Sequence, residues 1–237
     1  MNPFQSLILA WVFVFVGDTS LVHAAKDDVP SSDKVHETVI FHMDFSQVPV
    51  GETPDDLLVL DGDFAVRESG GDKLLELPGK PLDAFGVLFG PRAKDGLCVQ
   101  ARIRAEATRR RDPRFGVGLG GLGGYRLRMV PARGELEIVL HDQAVATTPF
   151  KWKSSRWTTL KLRIDKTAGH AWRVRGKAWL SDQPEPKAWT ISHTTNDLPL
   201  AGQASIWGTP YSGKPIQFDD LIVKQSRRES GSKASGG

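Results

Sequence analysis

Through residues 37–225 apolar side chains recur at every second position, and clusters of Gly, Pro, Asp or Asn interrupt them at intervals of about eight to twelve residues. In 159–165, Leu160, Leu162 and Ile164 fall on one parity and Lys161, Arg163 and Asp165 on the other. In 97–104, Val99, Ala101 and Ile103 oppose Gln100, Arg102 and Arg104; in 172–180, Val174, Ala178 and Leu180 oppose Arg173, Arg175, Lys177 and Trp179. A period of two with one polar parity is what a strand with one buried and one wet face requires. The pattern predicts strands at 39–45, 57–60, 64–67, 73–77, 86–89, 97–105, 115–119, 125–130, 135–140, 144–148, 157–164, 172–180, 188–193, 204–207 and 216–223. No stretch carries a helical stripe. The fold class expected is all-β, a single antiparallel β-sandwich.

Length and composition leave that picture unchanged: 237 residues with 40% hydrophobic and 25% charged side chains suit one domain with one large core. The ends modify it. Residues 7–16 are an apolar run, and Val22, His23, Ala24 and Ala25 place small side chains where a signal peptidase needs them. A secretory signal over 1–24 is expected, with the mature protein secreted or periplasmic. The segment before the run holds no Lys or Arg, so an uncleaved anchor stays open as the alternative, although the run is shorter than the roughly 20 residues of a spanning helix. Residues 25–36 and 226–237 lack core residues and are expected as a disordered linker and tail around a domain at 37–225. The one cysteine, Cys98, excludes an internal disulfide and sits in an alternating strand, which favours a packed core thiol over a nucleophile.

Three stretches carry a resemblance: 115–128, with alternating glycines running into Tyr125-Arg126-Leu127-Arg128; 178–189, with Trp179 and Trp189; and 208–223, with Phe218-Asp219-Asp220. Together they resemble the concanavalin-like, laminin-G-like jelly-roll domains of secreted bacterial proteins. The resemblance implies a closing strand beside the first. It also implies a family that includes sugar-binding modules, accessory domains and glycosidase-like relatives such as keto-disaccharide hydrolases.

No catalytic residue is nominated. Gly116, Gly118 and Gly121 satisfy a dinucleotide spacing, but a strand rather than a helix follows, so a bend or a close backbone approach explains the glycines better. Glu135 and Glu137 alternate as a glycosidase pair would. A hairpin centred on Ala132 and Arg133, however, places Arg128 opposite Glu137 as an ordinary cross-strand pair on an exposed face. Asp44, Asp219 and Asp220 are the candidates for a structural calcium, but two or three oxygens fall short of the six to eight it takes. Turn and capping roles are the plainer reading, and no other cofactor is expected. Arg109, Arg110, Arg111 and Arg114 form a cationic loop able to grip sulfate, phosphate or carboxylate, with simple solvation as the plainer reading. No aromatic interleaves with them in sequence, and the formal charge is only +3, so nucleic acid is not an expected partner.

The ligand-binding residues expected are Arg173, Arg175, Lys177 and Trp179 on one wet strand face, flanked by Trp189. Indole stacks on sugar C–H faces, and Arg and Lys donate to hydroxyls or pair with acidic groups. The function expected is a non-catalytic module for a glycan or other extracellular polymer. The alternatives are an accessory domain docking on a partner protein and a glycoside hydrolase-like enzyme. No membrane contact is expected after signal cleavage.

Overall fold

Alternating sequence becomes alternating burial. In the computed structural model, which describes residues 35–93, 96–167 and 169–228, the strand Leu97–Ala105 buries Val99, Ala101 and Ile103 completely and leaves Gln100, Arg102 and Arg104 partly exposed. The strands among the described residues are β1 (Val35–Met43), β2 (Leu57–Asp61), β3 (Ala65–Ser69), β4 (Asp72–Leu77), β5 (Phe85–Ala93), β6 (Leu97–Ala105), β7 (Arg114–Leu119) and β8 (Tyr125–Val130). They continue as β9 (Glu135–Leu140), β10 (Gln143–Pro149), β11 (Thr158–Lys166), β12 (Trp172–Leu180), β13 (Ile191–Thr195), β14 (Gly202–Thr209) and β15 (Ile216–Arg228). Two short 3-10 turns, Gly121–Gly123 and Pro131–Arg133, join β7 to β8 and β8 to β9.

The strands pair into two antiparallel sheets. One runs β13-β12-β11-β6-β15-β4-β3 with β1 also on β15, and the other runs β10-β9-β8-β7-β14-β5-β2. Face to face they enclose a core of Phe64, Val66, Val99, Ile103, Phe115, Leu127, Ile138, Leu162, Ile206 and Phe218 with their neighbours. The layers touch closely where Gly176 of β12 faces Leu127 of β8, a place where an added methyl would collide with the leucine. The protein is a two-sheet antiparallel jelly-roll sandwich.

Each expected strand is present, and β6, β8, β9 and β12 begin and end where the alternation placed them. β13 starts at Ile191 rather than residue 188, so Trp189 lies in the preceding loop. β1 and β15 extend to Val35 and Arg228, beyond the limits of 37 and 225. The signal segment, the linker before Val35 and the tail beyond Arg228 lie outside the described residues. Among those described, no helix is long and apolar enough to cross a membrane.

The closing strand does lie beside the first, with Met43 opposite Leu221 and Phe41 opposite Val223. β15 changes partner along its length. Ile216–Phe218 pairs with β4, the register then slips at Asp219, and from Leu221 onward the same edge pairs with β1. Asp220 sits at the slip with φ +48°, a left-handed bulge residue of a type that tolerates this region.

Candidate functional site

The outer face of the seven-stranded sheet gathers the surface on which chemistry is available. Strand registers set Thr147, Glu137, Arg128, Gly116, Trp207 and Gly86 in one row across six strands. The next row holds Val139, Arg126, Gly118 and Ser205. Glycines at 86, 116 and 118 leave a strip without side chains in the middle of the sheet. This is a cross-strand role for glycines that the sequence presents only as a repeat along one chain.

Large side chains lie down on that strip. The Trp207 ring covers Gly86 so closely that a methyl there would stand 2.7 Å from the indole, and Trp207 Nε1 donates to Ser205 Oγ at 2.9 Å. Arg126 crosses Gly118, where an added Cβ would lie 3.3 Å from its Cγ, and brings its guanidinium 4.0 Å from the centre of the Trp207 ring. Beyond the end of β14, Tyr211 is exposed, and Arg114 stacks 5.3 Å from its ring centre. Between these two cation–π stacks runs an open groove of about 120 Å³, lined by Arg114, Arg126, Arg128, Asp142, Trp207 and Tyr211.

The carboxylates around it are engaged. Glu137 is 1% exposed and takes Arg128 at 2.8 Å and Arg133 from its other side, while Glu135 pairs with Arg133 at 2.6 Å. The register Arg128 to Glu137 agrees with the hairpin count, but the expectation of an exposed pair is corrected: Glu137 is buried by its neighbours and shared by two arginines. Arg126 meets the exposed Asp142 at 3.4 Å and donates to Leu122 O. Burial pulls the pKa values of Arg126 and Arg128 below the usual guanidinium value, and for Arg128 the neighbouring Arg133 adds to the effect. Positive charge is thus held here with incomplete compensation.

The residues singled out by sequence lie on the other sheet. Arg173, Arg175, Lys177 and Trp179 share the outer parity of β12. Trp189, from the loop before β13, covers Arg175 and Lys177 with ring centres 4.7 Å from each cation. These contacts join three of the five. Lys177 is buried and bonded to Glu185 Oε1 at 2.9 Å and Pro186 O at 2.6 Å, Lys161 reaches the same carboxylate at 3.0 Å, and Arg175 pairs with Asp165 at 2.6 Å. Arg173 is exposed, and Trp179 is half-buried opposite Thr159.

Cys98 is a packed thiol, raised to about 11 by burial, but it faces outward from the sheet rather than into the core, opposite Arg163 and Lys224. Asp219 and Asp220 both meet Arg102, at 3.4 and 3.0 Å, whereas Asp44 accepts the Ser46 amide at 3.0 Å in its own turn. Among the described residues no group of three His, Cys, Asp or Glu is arranged to hold a metal. Sequence reasoning missed Trp207, although Trp207 shares the polar parity of Gln203 and Ser205 in β14, the same signal that singled out Trp179.

Neither a protein-family model nor a curated protein sequence matches the chain. Among solved structures it is similar to a Bacillus subtilis protein of unknown function with a galectin-like fold (TM-score 0.54, 12% identity, 82% of this chain and 99% of that one). It is also similar to the Emp47p carbohydrate recognition domain (TM-score 0.53, 10% identity, 83% and 99%). A third likeness is to a Shewanella oneidensis MR-1 protein of unknown function (TM-score 0.50, 14% identity, 86% and 92%). At such identities these likenesses show the fold alone, a jelly-roll β-sandwich.

Proposed function

We propose that the chain is a non-catalytic, exported binding domain that holds a glycan against the outer face of the seven-stranded sheet. The observation that carries this reading is the pair of aromatic–arginine stacks, Trp207 with Arg126 and Tyr211 with Arg114, on the rim of one groove. Stacking fixes each guanidinium by its face and leaves N–H donors at its edge, so little ordering entropy remains to be lost when a hydroxyl arrives. At about 120 Å³ the groove is smaller than the 300–1,000 Å³ of pockets that enclose a small molecule, which suits the side of a polymer. The arginine partners of Glu135 and Glu137 argue against an acid and nucleophile pair, and the fold shared with a carbohydrate recognition domain agrees with binding.

Affinity electrophoresis in gels containing soluble polysaccharides tests it, comparing the parent with Trp207→Ala and Trp179→Ala. The expected result is retardation of the parent and of Trp179→Ala, with at least a tenfold loss in Trp207→Ala, about 1.4 kcal/mol. Full affinity in Trp207→Ala would overturn the site. Reducing sugar released from a retained polysaccharide would overturn the non-catalytic role.

A further inference from the structure

The groove's cations differ in what they have already bound. Arg128 is engaged by Glu137, and Arg126 by Asp142 and Leu122 O. Among the described residues the Arg114 side chain has no carboxylate within 4.0 Å and no hydrogen bond, and its guanidinium lies over the ring of Tyr211. A guanidinium held by its face keeps its five in-plane N–H donors available, in the fork geometry that matches a carboxylate or sulfate.

Arg114 is also the end of a longer cationic run. Arg109, Arg110 and Arg111 precede it by three to five residues in an exposed turn closed by the Thr108–Arg111 bridge. Among the described residues none of the three has an ion-pair partner. Aromatic contact absent from the local sequence is supplied from far along the chain by Tyr211. The result is a track from the Arg126 stack through the Arg114 stack toward the arginine turn, with Asp142 as the one carboxylate lining the groove.

We infer that the glycan of this site is an acidic polysaccharide, whose carboxylate or sulfate groups pair with Arg114 and the Arg109–Arg111 turn while its rings lie along the groove. This rests on the glycan-binding role proposed above. A neutral glycan would leave Arg114 and the turn without use. An acidic one repeats its charge along the chain and meets several fixed cations at once, which raises affinity and makes it sensitive to salt.

The test uses matched polymers on the intact protein: dextran against dextran sulfate, and polygalacturonate against its methyl ester. Each is titrated at low and high salt with the parent, Arg114→Gln and Arg110→Gln. Expected are at least tenfold tighter binding of one charged polymer than of its neutral match, weakening in high salt, and about tenfold loss in Arg114→Gln. A smaller loss is expected in Arg110→Gln, whose exposed position spares the fold. Preference for dextran sulfate or for polygalacturonate identifies sulfate or carboxylate as the group read. Equal binding of charged and neutral partners would overturn the acidic specificity and leave the glycan role standing. Retention of no polymer would overturn both. Equal affinity for single-stranded DNA would overturn the assignment to a glycan in favour of polyanions at large.

Discussion

On the outer face of the eight-stranded sheet Lys161 and Lys177 meet at Glu185, Arg175 and Arg163 meet at Asp165, and Arg102 meets Asp219 and Asp220. On the outer face of the seven-stranded sheet Arg126 meets the Trp207 ring as well as Asp142, and Arg114 meets the Tyr211 ring with no carboxylate beside it among the described residues. Both faces carry arginines and aromatic rings, and by composition along single strands they are hard to tell apart. They differ at Arg114, whose charge no carboxylate neutralises among the described residues. A carboxylate partner consumes both the charge and the donors of a cation, whereas a ring attracts it by about 0.5–2 kcal/mol and leaves the donors in place. A surface ready for a ligand is recognised by what its cations still lack.

The largest effect expected from breaking this contrast is at Glu137. Glu137→Gln leaves Arg128 and Arg133 facing each other over a buried amide, and should lower stability by about 2–3 kcal/mol in urea titrations. A loss below about 0.5 kcal/mol would mean that the two arginines find solvent as easily as they find Glu137.

Next comes Asp219, whose burial pushes its pKa up to about 6 despite Arg102 and the Asp220 amide. The folded carboxyl then binds its proton more tightly than the unfolded one, with its ordinary value near 3.9, so ionisation costs stability as pH rises from about 4 to 6. Asp219→Asn should therefore gain on the order of 2 kcal/mol at pH 7, gain nothing below pH 4, and flatten the melting profile between. A variant less stable than the parent at pH 7 would show that the charge pair with Arg102 outweighs desolvation.

Gly86→Ala sharpens the contrast from the other side. Its methyl must push the Trp207 ring off the sheet and loosen the Arg126 stack, so glycan affinity should fall about tenfold, or 1.4 kcal/mol. The near-ultraviolet circular dichroism of tryptophan should change with it. Unchanged affinity would detach the glycine strip from binding.

The smallest effect belongs to Glu185. Burial works against its ionisation, but hydrogen bonds from Lys177 and Lys161 hold it below the usual carboxylate range. Its contribution is present at neutral pH and lost in acid, the opposite sense to Asp219. Glu185→Gln should cost at most about 1 kcal/mol because the carboxylate reaches solvent. Glycan affinity should stay at the parent value; a tenfold loss would move the site to the eight-stranded sheet.

The fold was legible in the chain because period-two alternation is a property of neighbours in sequence. β6, β8, β9 and β12 are bounded as the pattern predicts. β13 was misplaced because Trp189 imitates a strand residue in the alternation while covering two cations from a loop. The site was less legible. What makes Trp207 lie flat is Gly86, and what brings Arg126 over it is Gly118, each on another strand. Such relations exist only once registers are known. Likewise the lysines of β11 and β12 look free until Glu185 folds back over them.

The place of β15 has a consequence for how the domain comes into being. It lies in the middle of the eight-stranded sheet, with β6 on one edge and β4 and then β1 on the other. A chain synthesised only as far as Gly213 has a β1 with nothing to pair with and a β3–β4 hairpin detached from β6. Closure of that sheet waits for its final strand and then joins segments from the two ends of the domain, a pairing of very high sequence separation that forms slowly. Until then β6, β11, β12 and β13 can pair among themselves, while β1 and the β3–β4 hairpin wait for the last strand.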